Sequence, residues 1–167
     1  MQLPSFIYRS ERLGKNGKPF SAYKFKTLKD GTDRKSQFAR GDQYLRFGKI
    51  LRKYKLDEVL QLINVIRGEM SLVGPRPEEK KTLQLLPRDL QKLLLSRKPG
   101  LTSLASIHFI DEEFLLKGSK DQFKDYYEKI RPIKLALDAF YIQNHDLLLD
   151  LWIIWKTAIS IVKRIFR

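Results

Sequence analysis

Apolar and polar residues alternate over two short stretches near the front of the chain, SFIYRS from Ser5 and FSAYKFKTL from Phe20. A period of two marks a strand with one buried face. Between the stretches lies Gly14-Lys15-Asn16-Gly17-Lys18-Pro19, a run of turn formers, so the pattern predicts a small β-hairpin. Periodicity stops from 29 to 43, a polar segment with Gly31 and Gly41 that reads as a loop. The spacing then changes to three and four. Leu45, Phe47, Ile50 and Leu51, set among Arg46, Lys49, Arg52 and Lys53, predict a short amphipathic helix over 44–53 with one basic face. A second helix is expected to open near Asp57 and end at Gly68. Leu56, Val59, Leu60, Leu62, Ile63 and Ile66 give it a wide apolar face, with Asp57, Gln61 and Asn64 along the other side.

In SLVGPRPEE two prolines flank Arg76 and favour extended backbone, and a charged helical stretch follows over 78–96. Pro99-Gly100 breaks the chain, 120–145 reads as helical, and a last helix covers 147–166. Its Leu148, Leu151, Trp152, Trp155, Ile159 and Val162 share a face flanked by Lys156, Lys163, Arg164 and Arg167. Such a stripe suits packing on its own domain, and the basic flank equally suits a membrane interface. The expected fold class is α+β: a mainly helical single domain over 1–167, with a small N-terminal β-hairpin and a C-terminal amphipathic helix.

Composition narrows the chemistry. At 167 residues, 43% hydrophobic and 31% charged, the chain suits one domain with a real core. It has no cysteine and two histidines, which excludes disulfides and thiolate zinc sites, so a metal would sit on oxygen ligands as magnesium or manganese does. The net charge is +14, and residues 9–55 hold fifteen Lys or Arg against four acids, a local +11. That field draws phosphates of any origin: nucleotides, lipid headgroups or nucleic acid. No nucleic-acid-binding motif accompanies it, and nucleic acid is not an expected partner. No window is long and apolar enough for a spanning helix, and no secretory signal core begins the sequence. The expected location is cytoplasmic, peripheral on a membrane surface.

Bases at Arg52, Lys53 and Lys55 precede the adjacent carboxylates Asp57 and Glu58 at an expected helix start. A phosphate could be held there by Arg52 and backbone amides while one carboxylate binds a divalent ion and the other attacks phosphorus. The same pair suits a helix cap, since acidic residues in a first turn complement the helix dipole. Pro75-Arg76-Pro77 is either a rigid connection or a device that aims Arg76 at a phosphate. His108 and His145 stand apart from any carboxylate pattern, and packing is the role expected of both.

Taken in order, RLGKNGKPF, YKFKT, FGKILRKYKLDEVLQLINVIRGEMSLVGPRPE, RKPGLTSLAS and LALDAFYIQNHDLLLDLWIIWKT resemble the bacterial sugar transferase family, the small monotopic phosphoglycosyl transferases. The resemblance implies a sugar phosphate moved from a UDP-sugar donor to polyprenyl (undecaprenyl) phosphate, with release of UMP, at the start of polysaccharide or glycoconjugate synthesis. It implies Asp57 as nucleophile through a covalent phosphosugar, Glu58 as support for Mg2+, and Arg52 and Arg76 as phosphate ligands. It further implies the cytoplasmic face of the bacterial inner membrane, an anionic lipid surface as partner, and room for a homo-oligomer or an anchoring partner. Two departures stand out. Leu60 occupies the place of a proline in the usual LDELPQ, and the apolar re-entrant helix that the family carries ahead of the hairpin is expected to be lacking. A catalytically impaired, basic membrane-surface or scaffold protein is the alternative that the second departure keeps open.

Overall fold

The computed structural model describes residues 4–31, 42–116 and 118–166, without the side chains of Glu113 and Phe114. Most of the loop expected over 29–43 lies outside the described residues. The chain opens with strands β1 (Ile7–Leu13) and β2 (Pro19–Phe25), paired antiparallel from Ile7 opposite Phe25 to Leu13 opposite Pro19. The expected turn closes them: Lys15–Gly17 forms one 3₁₀ turn in which Asn16 and Gly17 take positive φ of 59° and 72°. Asn and Gly are the residues that enter this region most readily. Phe20 and Ala22 point inward from β2 and meet Met70, a small core beneath the hairpin.

Helix α1 (Arg46–Lys53) is tied to the end of the hairpin strand by Leu45 N–H, which donates to Thr27 O at 2.9 Å. Lys55 then adopts the left-handed region at φ 57°, which is costly for a residue with a Cβ. The continuous helix expected from Asp57 is instead a 3₁₀ stretch, Leu56–Gln61, followed by a short α2 (Leu62–Ile66) that ends at Gly68 with φ 74°. Its orientation is inverted. Gln61 and Asn64 are buried at 2% and 0% exposure, whereas Leu56, Val59, Leu62, Ile63 and Ile66 face outward. Asn64 explains the inversion, because it binds the hairpin as a strand neighbour would. Its Oδ1 accepts from Tyr23 N–H at 3.3 Å, and its Nδ2 donates to Ser21 O at 2.8 Å and Glu69 Oε2 at 2.7 Å.

Strands β3 (Ser71–Val73) and β4 (Gly100–Thr102) form a short parallel pair. Gly74 and Gly100 press backbone to backbone, so a Cβ on either would collide with the main chain of the other. The stretch expected as one helix over 78–96 is two, α3 (Lys80–Leu83) and α4 (Arg88–Leu95), divided at Pro87. After α5 (Leu104–His108) and α6 (Glu112–Leu115), the chain enters α7 (Gln122–Asp125), a π-turn at Tyr126–Ile130, and α8 (Arg131–Asn144). Pro132 lacks the amide that would bond back into that turn, and the helix widens there. Asp146 caps α9 (Leu147–Ile165) by accepting Leu149 N–H at 2.7 Å.

The largest core joins Val73, Leu83, Leu94, Tyr141, Ile142 and Ile153. A second gathers Phe109, Leu116, Tyr126 and Ile130. Helix α9 buries Ile153 completely, yet the stripe of Leu148, Leu151, Trp152, Trp155 and Val162 faces away from the domain. The architecture is α+β, mainly helical, with the hairpin at one end of the sequence and the amphipathic helix at the other. Among the described residues, no helix is long and apolar enough to cross a membrane.

Candidate active site

The inward side of the 3₁₀ stretch carries the chemistry. Because Asn64 clamps the following turn to β2, Asp57 and Glu58 are held against the same strand, half-buried. There they meet Lys24, whose Nζ lies 2.5 Å from Glu58 Oε1. Lys24 continues the inward face of Phe20 and Ala22, so a lysine occupies the position where the strand's alternation calls for an apolar residue. That break in pattern is the signal in the sequence for a residue the motif spacing missed.

The two carboxylates sit in different fields. Desolvation and the neighbouring Glu58 charge raise the pKa of Asp57 above the usual aspartate value, against the pull of Lys24, Arg52 and Lys55. Desolvation also opposes ionisation of Glu58, but Lys24 and Arg76 outweigh it and hold that carboxyl at about 2. One member of the pair is thus a fixed anion, and the charged form of the other is less fully compensated.

Arg52 sits in the last turn of α1, its Nη1 donating to Tyr44 Oη at 2.9 Å while the guanidinium stacks on the Tyr44 ring with its carbon 5.2 Å from the centroid. The stack limits its rotamers on the Asp57 side. Arg76 comes from a different part of the chain, the extended link after β3, and is exposed. Partial desolvation works against its charge, but Glu58, Tyr126, Glu112 and Glu78 more than offset this, and the guanidinium stays protonated. Of the sequence-predicted residues, Arg52 therefore acts on Asp57 and Arg76 on Glu58, and Lys24 and Lys55 act on both carboxylates. The expected anion site on helix amides has no long helix behind it, since the pair stands on a six-residue 3₁₀ stretch.

Behind Arg76, α8 turns a charged stripe inward: Arg131, Lys134 and Asp138 are all buried. Arg131 Nη2 reaches Glu78 Oε2 at 3.3 Å and Thr82 O at 3.1 Å, Lys134 pairs with Glu112, and Asp138 accepts the Arg76 amide. His145 lies 3.7 Å from Asp150 and His108 stacks edge-on with Phe109, both outside the site.

A site of clustered cations around two adjacent carboxylates is built to stabilise negative charge on phosphate. The sequence model of the family described as bacterial sugar transferase matches residues 2–164. The exopolysaccharide production protein ExoY of Sinorhizobium fredii is 36% identical over 92% of this chain and 68% of its own length. The UDP-glucose:undecaprenyl-phosphate glucose-1-phosphate transferase of Caulobacter vibrioides is 35% identical over 93% of this chain and 56% of its own. An Aeromonas hydrophila protein named for transferring N-acetylgalactosamine phosphate from its UDP-sugar to undecaprenyl phosphate is 31% identical over 93% of this chain, which spans 35% of that relative. This chain, an enzyme by its kinship, belongs to the bacterial sugar transferase family.

Proposed function

We propose that this chain transfers a sugar phosphate from a UDP-sugar to undecaprenyl phosphate, with Asp57 as nucleophile. The observation that carries the reading is a carboxylate pair under four cations, Lys24, Arg52, Lys55 and Arg76, in which Glu58 is committed to Lys24 and Asp57 is not. In the first step an Asp57 carboxylate oxygen bonds to the sugar-bearing phosphorus, the bond to the bridging oxygen breaks, and UMP leaves with that oxygen and its electron pair. In the second, a phosphate oxygen of undecaprenyl phosphate attacks the same phosphorus, and the carboxylate departs unchanged. Arg52, which acts on Asp57, and Arg76, which acts on Glu58, suit the phosphate oxygens on which charge accumulates, and both steps pass through this one position.

Glu58 would hold Mg2+, beside the attacking Asp57. The donor set fits a hard cation that takes one or two carboxylates and fills its other positions with substrate phosphates and water, and among the described residues no cluster of three His, Cys, Asp or Glu exists to form an all-protein cage. When bound, such an ion screens the approach of a carboxylate to a phosphate.

The acceptor is a lipid, and the outward apolar side chains suit a membrane surface: Phe47 and Ile50 of α1, Val59, Ile63 and Ile66 beyond it, and the Trp152–Trp155 face of α9. Exposed Arg46, Lys49 and Lys53 suit its anionic headgroups. The test supplies the chain with a UDP-sugar, Mg2+ and undecaprenyl phosphate in anionic vesicles and measures UMP. Release that falls by about 10³-fold or more in Asp57→Asn is the expected result. Vesicle binding without UMP release from any UDP-sugar would return the chain to a surface or scaffold role, and full turnover in Asp57→Asn would remove Asp57 as nucleophile.

A further inference from the structure

The link that presents Arg76 has an uneven supply of backbone donors. Pro75 and Pro77 carry no amide hydrogen, so Arg76 N–H is the only amide between those of Gly74 and Glu78. The flanking groups are tied to main chain: Gly74 N–H donates to Thr102 O at 3.1 Å, Pro75 O accepts from Gly100 N–H at 2.9 Å, and Glu78 O accepts from Leu13 N–H at 3.0 Å. The Arg76 amide alone is met by a side chain. It donates to Asp138 Oδ2 at 3.1 Å, across 62 residues of sequence.

Asp138 is a costly choice for that position. It is 3% exposed on the inward face of α8, between Leu135 and Tyr141 on helical spacing, and among the described residues its Oδ1 has no hydrogen-bond partner. Burying a carboxylate with one oxygen unpaired is unfavourable, and the contacts that could compensate come from the Arg76 link and from Lys134. One turn and two turns earlier on the same stripe, Lys134 and Arg131 hold Glu112 and Glu78. The stripe therefore grips the link at both ends, at Arg76 through Asp138 and at Glu78 through Arg131.

We propose that Asp138 is a positioning residue for the transfer reaction: by fixing the peptide plane that enters Arg76, it aims the Arg76 guanidinium at the donor phosphate. The proposal rests on the reading of Arg76 as a phosphate ligand. Pro77 restricts the far side of Arg76 and Gly100 N–H holds the carbonyl end of the plane that enters it, so the Asp138 bond at the amide end completes the constraint on the direction of its Cα–Cβ bond. A misplacement of about 1 Å at a phosphate ligand is worth up to ~10²-fold in rate.

UMP release by the full chain on vesicles is compared for wild type, Asp138→Asn, Asp138→Leu, Arg76→Ala and the Arg76→Ala/Asp138→Leu double variant, with melting curves for each. Asparagine keeps an oxygen for the Arg76 amide and is expected to stay within ~3-fold of wild type, whereas leucine lowers kcat/KM by ~10- to 10²-fold. In the Arg76→Ala background the leucine substitution is expected to cost nothing further, because the group it aims is gone. The proposal is overturned by wild-type activity in Asp138→Leu, by equal losses in the asparagine and leucine variants, or by losses that multiply in the double variant. Full activity in Arg76→Ala would overturn the parent reading and this one together, a result distinguishable from failure at Asp138 alone. Amide exchange in the unmutated chain supplies a readout that needs no variant: residues 75–77 contain one exchangeable amide, expected to be protected like those of α8. Exchange at the rate of an open loop would overturn the proposal.

Discussion

Asp57 and Glu58 are adjacent in sequence, yet their environments push their pKa values apart: desolvation and the Glu58 charge raise Asp57, while Lys24 and Arg76 overcome desolvation at Glu58. Lys24 pairs directly with Glu58 at 2.5 Å and acts on Asp57 only through its field, where it is the foremost cation, ahead of Arg52 and Lys55. A nucleophilic carboxylate must keep an available lone pair, and a tight ion pair would consume it. Asp138 provides a separate titration that is readable in stability. Desolvation raises its pKa from 3.8 to about 6, against the Arg76 amide and guanidinium and Lys134, with Glu78 adding to the rise. Folded protein then binds a proton that the unfolded chain has released, so this contribution is fully present below about 4 and lost as pH rises through about 6. Asp138→Asn cannot titrate. Its stability relative to wild type is expected to climb by at most about 2–3 kcal/mol between pH 4 and 7, measured by urea unfolding at each pH, and a flat difference would contradict the buried charge. The sequence made the Asp57–Glu58 pair and its two arginines visible through local spacing. Lys24 and Asp138 escaped because they act across the fold, each identifiable only as a charged residue in the inward phase of its own element.

At the scale of elements, the segment from Leu56 to Ile66 shows how a correct reading of periodicity leads to a wrong side. The apolar and polar faces are as the spacing predicts, but the polar one is buried. Periodicity identifies two faces and says nothing of which meets protein when a membrane is another possible solvent. The same holds for α9, whose tryptophan stripe points outward. The break into a 3₁₀ stretch was not legible either, because it depends on Lys55 taking a left-handed conformation. For Lys55→Gly, relief of about 1–2 kcal/mol of backbone strain is set against the chain entropy of glycine, so stability should hold or rise by up to about 1 kcal/mol. UMP release should nevertheless fall, since a cation beside both carboxylates is lost. A variant that melts earlier would mean that the left-handed turn carries no strain. The hairpin, by contrast, was fully legible, since its turn residues and alternation are local.

The whole molecule separates two surfaces by sign and polarity. Carboxylates and cations converge inward, whereas outward-facing aromatic and aliphatic side chains line α1, α2 and α9. Arg164 joins the far end of α9 to this arrangement by donating to Lys53 O at 3.0 Å and pairing with Asp111. If lipid covers the α9 face, Trp152→Glu/Trp155→Glu should weaken sedimentation with anionic vesicles by at least ~10-fold while leaving the melting temperature within a few degrees, because Ile153 rather than either tryptophan fills the core. A large fall in melting temperature with unchanged vesicle binding would assign the tryptophans to the fold instead.

The inverted helices also set the colloidal behaviour of the chain in water. Copies carrying +14 each repel at low ionic strength, and that repulsion opposes contact between their bare apolar faces. Added salt shortens its range to about 10 Å at 0.1 M, comparable with the width of a helix, and removes the barrier without altering a single fold contact. The same charge that draws phosphates toward the site therefore opposes contact between the apolar faces of separate copies, and light scattering that rises with added salt is the expected consequence.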